Sequence, residues 1–202
     1  MSAPRAPRRR TLNRDKVIGA AVEVIDELGW DQLSMTSLSA RVGVVVPSLY
    51  NHVRSLDDVR GAVQVRTMAE LGEQLRAAAL GRTGTEGITA LADTLRTFAT
   101  THPQRYQALT AAPVERTELV VAALDVNTVL SEMLLSCGVP PEESLQAAVS
   151  LFAALHGFAT LVNSGFLGDE LDLELIYDTV LRAALSGIAP ARATDRRPPP
   201  VG

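Results

Sequence analysis

The chain has 202 residues, 47% of them hydrophobic, which is enough for one large or two small domains with a buried core. Its single cysteine, Cys137, excludes a disulfide framework within the chain and agrees with a reducing, cytoplasmic compartment. The net charge of −4 is unevenly spread: residues 1–66 carry ten Arg or Lys against seven acids, whereas residues 67–202 carry nine against sixteen.

Residues 1–12 are rich in Arg, Pro and Ala. They read as a disordered basic arm, either solvated or laid along a polyanion groove. They lack the apolar run of a secretory signal. Asn13 is a cap residue for a helix to Leu28, in which Val17, Ala21, Val24, Ile25 and Leu28 form one stripe. Gly29 stops it, and Trp30 and Leu33 close a small core. A head with so few apolar residues needs support from the rest of the chain.

Residues 33–65 read as two short helices joined by a tight turn and running into a long third one. Ser34 caps the first, Leu38 and Val42 turn inward, and Gly43 ends it with Val44 as the anchor. Pro47 opens the second helix, predicted to run about two turns to Val53. Leu49 and Val53 face the core there, leaving Ser48, Tyr50, Asn51 and His52 outward. Ser55 and Asp58 are spaced as a capping box for a third helix over 57–80. Such a corner is either a structural element of an all-α protein or a DNA-reading helix–turn–helix. In the second case Asn pairs with adenine, Ser reaches base edges, and Tyr O–H suits phosphate.

The remaining helices are predicted at 86–101, 103–110, 114–136, 141–167 and 172–187, with Pro103, Pro113 and Gly138-Val-Pro-Pro as punctuation. Residues 144–168 contain no charged residue. A helix apolar on most of its surface is buried on both sides or spans a membrane. Gln146, Ser150, His156 and Asn163 interrupt it and its flanks are acidic, which favours burial. Its small residues allow close approach, so one face serves the core and the other a second copy. Residues 189–202 form a Pro- and Arg-rich tail with no means of building a core.

No catalytic constellation emerges. His52, His102 and His156 are too scattered for a metal site, and there is no Glu-x-x-His, no Gly-x-Ser-x-Gly and no glycine-rich phosphate loop. The chain is expected to be neither an enzyme nor a cofactor or metal binder.

The segments L12-N-R-D-K-V-I, L28-G-W, S34-M-T-S-L-S-A-R-V-G-V and P47-S-L-Y-N-H-V, followed by a capped helix, closely resemble the N-terminal domain of the tetracycline-repressor (TetR) family. The resemblance implies an all-α fold. A three-helix helix–turn–helix domain at 13–60 would bind DNA, and a helical domain at 61–188 would bind an effector and dimerise. Thr36, Val46, Pro47, Ser48, Tyr50, Asn51 and His52 match the family's DNA contacts. Two positions depart from the pattern: Val44-Val45-Val46 replaces a small polar cap, and Leu56 stands where a phosphate-binding Lys is common. Val46 either meets a thymine methyl or packs.

The body segments H102-P-Q-R-Y-Q-A-L and L155-H-G-F-A-T-L resemble a C-terminal subtype named for a Trp-His-Gly motif, with Leu155 in place of Trp. The family implies a palindromic double-stranded DNA operator, a homodimer through helices 141–167 and 172–187, and a small-molecule effector of unknown identity. Phe98, Tyr106, Leu109, Phe152, His156 and Asn163 are candidates to line the effector cavity; for the apolar ones, core packing is the competing role. The implied role is a ligand-released repressor without membrane attachment. The alternatives are an orphan DNA-binding regulator without an effector and, more remotely, a membrane-tethered helical protein.

Overall fold

The computed structural model describes residues 12–188, so the predicted tail at 189–202 and all of the predicted arm but Leu12 lie outside it. Every regular element among the described residues is helical. The α-helices are α1 (Arg14–Leu28), α2 (Met35–Val42), α3 (Val46–Leu49), α4 (Leu56–Ala79), α5 (Gly84–Thr101), α6 (Pro103–Thr110), α7 (Arg116–Ser136), α8 (Ser144–Asn163) and α9 (Leu173–Ile188). Short 3-10 turns at Trp30–Gln32 and Pro141–Glu143 connect them.

The chain forms two compact units. The first comprises the described residues up to Met68 together with His102–Val121. Its core is built from Val17, Ala21, Val24 and Ile25 of α1, Leu33, Leu38 of α2, Leu49, Val53, and Val59 and Val63 of α4. Ala108 of α6 joins the same core. The support that so small a head needs thus comes from residues far along the chain. Arg105 of α6 donates to Asp26 of α1 at 2.8 Å, and Gln104 lies against Gly29. Gly29 has φ +94°, a conformation open to glycine and costly for other residues. That bend takes the chain off α1 into the Trp30 turn.

Gln64 makes the firmest tie between α4 and the α6–α7 connection. Its side chain is 1% exposed. The amide Nε2 donates to Ala108 O at 3.0 Å and to Ala112 O at 3.4 Å, and Oε1 accepts from the Val114 N–H at 3.0 Å. A buried amide must find partners for both ends, and here three backbone groups supply them.

The second unit comprises residues 69–101 and those from Ala122 onward. The buried stripe of α5, Ile88, Leu91, Ala92, Leu95, Phe98 and Ala99, follows helical spacing. It packs on α8, which buries Ala148, Leu151, Leu155, Phe158 and Ala159. α9 closes this layer with Tyr177 and Leu181. The Tyr177 hydroxyl donates to Asp93 of α5 at 2.8 Å. The Arg96 guanidinium lies 4.3 Å from the centre of the Tyr177 ring and pairs with Glu174.

One feature corrects the prediction for α8. The helix ends at Asn163, not at 167, and the chain then turns through Gly165 at φ +69°. The Asn163 side chain is held at this end by Ala99 O at 3.0 Å. Within one chain, one face of α8 is buried, as the reading of a core-facing side requires, and the other is open. Leu145 is 69% exposed, Val149 59% and Phe152 44%. The segment Pro141–Asn163 is long and apolar enough to cross a membrane by length and composition. Its open apolar face is matched on α9 by Leu175, 61% exposed.

Candidate nucleic-acid interface

The geometry of the first unit's corner follows from its capping chemistry. Asn13 caps α1 by accepting from the Lys16 N–H at 3.0 Å. Ser34 and Ser37 form a reciprocal capping box on α2: each backbone N–H is bound by the other's hydroxyl, at 2.9 and 3.0 Å. α2 ends at Gly43 in the left-handed conformation, φ +71°. The Gly43 and Val44 N–H groups both turn back to Ser39 O, and Val44 packs on the core. Across this corner Arg41 of α2 pairs with Glu27 and Glu23 of α1.

The second helix of the corner is shorter than predicted. Regular α structure covers only Val46–Leu49, with Pro47 in its first turn. The chain then continues as a tightened turn, in which Asn51 N–H donates to Ser48 O at 3.4 Å and His52 N–H to Leu49 O at 2.8 Å. After Leu49 the pairing gives way to bonds three residues back, which closes the last turn as a tighter one. The inward positions hold nonetheless: Leu49 is fully buried and Val53 is 3% exposed.

The residues named from the sequence sit on the outside of this corner. Thr36, Pro47, Tyr50 and Asn51 are exposed, and Val46, Ser48 and His52 are half-buried. Tyr50 is 54% exposed although it is a large aromatic side chain. All seven belong to α2, α3 and the turn after α3, so one compact unit carries the whole set. Leu56, where a Lys is common, is partly buried and packs against the core.

One ion-pair cluster escapes sequence reasoning. Asp58, in the first turn of α4, is 5% exposed at its side chain. Arg14 of α1 grips it with two bonds of 2.7 and 2.8 Å. Arg54 donates to it twice, from its backbone N–H at 2.8 Å and from Nη2 at 3.2 Å. The Ser55 hydroxyl receives the Asp58 N–H at 3.0 Å. Half of the expected capping box is therefore present; the carboxylate reaches past Ser55 to Arg54. Hydrogen bonds from Arg14, joined by those from Arg54, hold the Asp58 carboxyl far below the usual carboxylate range, and the Arg14 guanidinium is raised in turn. Arg14 and Asp58 are 44 residues apart, a separation that local spacing does not reveal.

The effector candidates are distributed over both units. Tyr106 and Leu109 of α6 are buried in the first, and desolvation pushes the Tyr106 hydroxyl up to about 12. Phe98, Phe152, His156 and Asn163 belong to the second. Phe98 is 1% exposed. Phe152 stacks on His156 at 5.5 Å on the open face of α8. A surface cleft of about 520 Å³ lies between α5 and α9, lined by Asp93, Arg96, Thr97, Thr100, Glu174 and Tyr177 among others. None of the named candidates lines it.

Comparison with known proteins places this arrangement. The tetracyclin repressor-like C-terminal domain matches residues 88–184. The chain is 34% identical to an uncharacterized HTH-type transcriptional regulator of Mycobacterium tuberculosis, over 86% of this chain and 80% of that protein. It shares its fold with the crystal structure of BioQ bound to its double-stranded DNA operator, at TM-score 0.69 and 20% identity over 89% of this chain and 99% of that one. It also shares its fold with the Streptomyces coelicolor TetR family protein ActR in complex with (S)-DNPA, at TM-score 0.65 and 17% identity over 89% and 98%.

Proposed function

The chain belongs to the TetR family of HTH-type transcriptional regulators, and from that premise we propose that it is a homodimeric repressor of a palindromic operator, released by a small molecule. The observation that carries the DNA half is the corner itself. A short helix, braced from below by Leu49 and Val53, presents Ser48, Tyr50, Asn51 and His52 at the surface. Asn51 and Ser48 read base edges in the major groove; Tyr50 and His52 meet phosphates or flanking bases. Thr36, Val46 and Pro47 complete the contact set.

Assembly rests on the open face of α8 and α9. Leu145, Val149, Phe152 and Leu175 leave an apolar stripe that a second copy covers by forming a four-helix bundle. The same stripe accounts for the membrane-like composition of α8 in a cytoplasmic protein with no membrane attachment. Leu155-His156-Gly157 supports assigning this body to the Trp-His-Gly subtype, Leu155 standing for the Trp. As a division of labour, 13–60 reads DNA and 61–188 senses and dimerises, with no enzymatic role for either.

The effector is an apolar or weakly polar molecule bound among residues 86–167, with Phe98, Tyr106, Leu109, Phe152, His156 and Asn163 as lining candidates. It acts by shifting α4, and so the spacing of the two heads, which must sit about 34–36 Å apart to enter successive major grooves. It lowers DNA affinity only by its preference between the two spacings. An orphan regulator without an effector has one observation in its favour: the cleft in the second unit is polar, and no candidate lines it. Operator selection from a random duplex pool tests the DNA half, with an inverted repeat expected and no enrichment refuting it. A thermal-shift screen separates the two readings of the body, since a specific ligand raises the melting temperature.

A further inference from the structure

Leu56, the first residue of α4, packs its side chain on the core and offers no charge at this edge of the corner. Two residues earlier stands Arg54, whose side chain is 80% exposed. We propose that Arg54 is a backbone-phosphate contact of the DNA-reading head, held in position by Asp58, which Arg14 braces in turn.

Three observations carry this. The first is placement. Arg54 follows His52 by two residues, in the bend between the turn after α3 and the start of α4. It is therefore joined directly to the surface proposed to enter the groove. The second is charge. Asp58 already has a bidentate partner in Arg14, so the trio of two guanidiniums and one carboxylate keeps one net positive charge. The accessible end of that charge is Arg54, since the Arg14 side chain is 45% exposed and that of Asp58 only 5%.

The third is preorganisation. A guanidinium has five N–H donors in a rigid fork. Asp58 takes one of them, from Nη2, at 3.2 Å. Most of the fork is left to solvent while its orientation is restrained. The Arg54 backbone is fixed separately, by its N–H on the same carboxylate at 2.8 Å. A long side chain on a fixed root loses less entropy when it meets a phosphate than one on a free loop. Asp58 thus acts as a positioning residue and Arg54 as the contact.

The inference rests on the reading of this corner as a DNA-binding head, and its test separates the two. Wild-type full-length protein first selects a duplex from a random pool. Binding of the Arg54→Gln, Arg54→Lys, Asp58→Asn and Asn51→Ala variants is then measured by fluorescence anisotropy, on the selected duplex and a scrambled one, across a salt series.

Arg54→Gln is expected to weaken both duplexes by the same factor and to flatten the slope of log affinity against log salt by about 0.9 per protomer, the signature of one lost phosphate. Arg54→Lys keeps the slope, because it keeps the charge. Asp58→Asn takes the trio from one net positive charge to two, so it steepens the slope where Arg54→Gln flattens it. The backbone bond from residue 54 to Asp58 survives in both Arg54 variants, so their melting temperatures stay near wild type. If Arg54→Gln leaves slope and affinity unchanged while Asn51→Ala weakens the selected duplex, the inference fails and the DNA-reading head stands. If the wild type enriches no duplex, both fall.

Discussion

Replacing Gln64 with Leu isolates the tie between α4 and the α6–α7 connection. The two side chains are close in volume, so the substitution removes hydrogen bonds without opening a large cavity. Three backbone groups lose their partner: Ala108 O, Ala112 O and the Val114 N–H. Ala112 is exposed and recovers a water, whereas Ala108 is fully buried and Val114 half-buried. A buried polar group left unpaired costs about 1–3 kcal/mol, and half-buried Val114 stands at the low end of that range, so the two together lower stability by about 2–4 kcal/mol. In a chain of this size that is a drop in melting temperature of roughly 5–15 °C, read by calorimetry at fixed protomer concentration.

Gln64→Glu adds a check by pH. A carboxylate there still accepts from Val114 but cannot donate to Ala108 O, so burial and that carbonyl raise its folded pKa above the roughly 4.3 of the unfolded chain. Stability is then fully present below the unfolded pKa and lost as pH rises towards the folded one. Compared with wild type at each pH, the variant is near normal at about pH 4 and weakened at neutral pH. A Gln64→Leu protein within about 0.5 kcal/mol of wild type would refute the assignment of these bonds as a structural tie.

Three further outcomes follow from the same structure. Asp58→Ala lowers stability at neutral pH by about 1–3 kcal/mol, less than the roughly 3–5 for a fully buried pair, because Arg14 and Arg54 regain water. Since the folded pKa of Asp58 is depressed, its contribution is present above the unfolded value and lost as pH falls below about 4, so Asp58→Asn flattens the acid limb of a stability–pH curve. Gly29→Ala forces a side chain into φ +94° and against Gln104, costing about 1–3 kcal/mol in urea denaturation. A Cβ at Gly157 meets nothing within 4 Å in the single chain and the position is exposed, so Gly157→Arg leaves helix content intact. Sedimentation should show it as a monomer or an aggregate where wild type is a dimer; a wild-type monomer at micromolar concentration sinks the proposed bundle.

Where local chemistry decides the structure, the sequence was sufficient. The Asn13 cap, the Ser34 cap, the Gly43 stop and the Pro47 start each depend on residues within one turn of one another, and each stands where spacing put it. Periodicity weighs the apolar pair Leu49 and Val53 and so predicts a helix to Val53, while the backbone tightens after Leu49 into bonds three residues back. The predicted α8 runs past Asn163 because its apolar character continues through Phe166, whereas the backbone turns at Gly165.

Long-range ties were not legible. Nothing near Gln64 announces Ala108 and Val114, and nothing near Asp58 announces Arg14. The capping-box spacing of Ser55 and Asp58 pointed to the right residue for a smaller role than the one it fills. The candidate DNA contacts were legible because they occupy one short motif. The effector candidates are drawn from several helices, and their convergence depends on packing that no single stretch encodes.

The most direct measurement compares Asn51→Ala with Tyr50→Phe by fluorescence anisotropy on a selected inverted-repeat duplex and its scrambled counterpart. A lost bidentate base contact costs about 1–3 kcal/mol and acts on the cognate sequence alone. Asn51→Ala is therefore expected to weaken the selected duplex more than the scrambled one, and Tyr50→Phe to weaken both alike. If both variants bind the selected duplex with wild-type affinity, the turn of α3 is not the reading head and the proposed function is wrong.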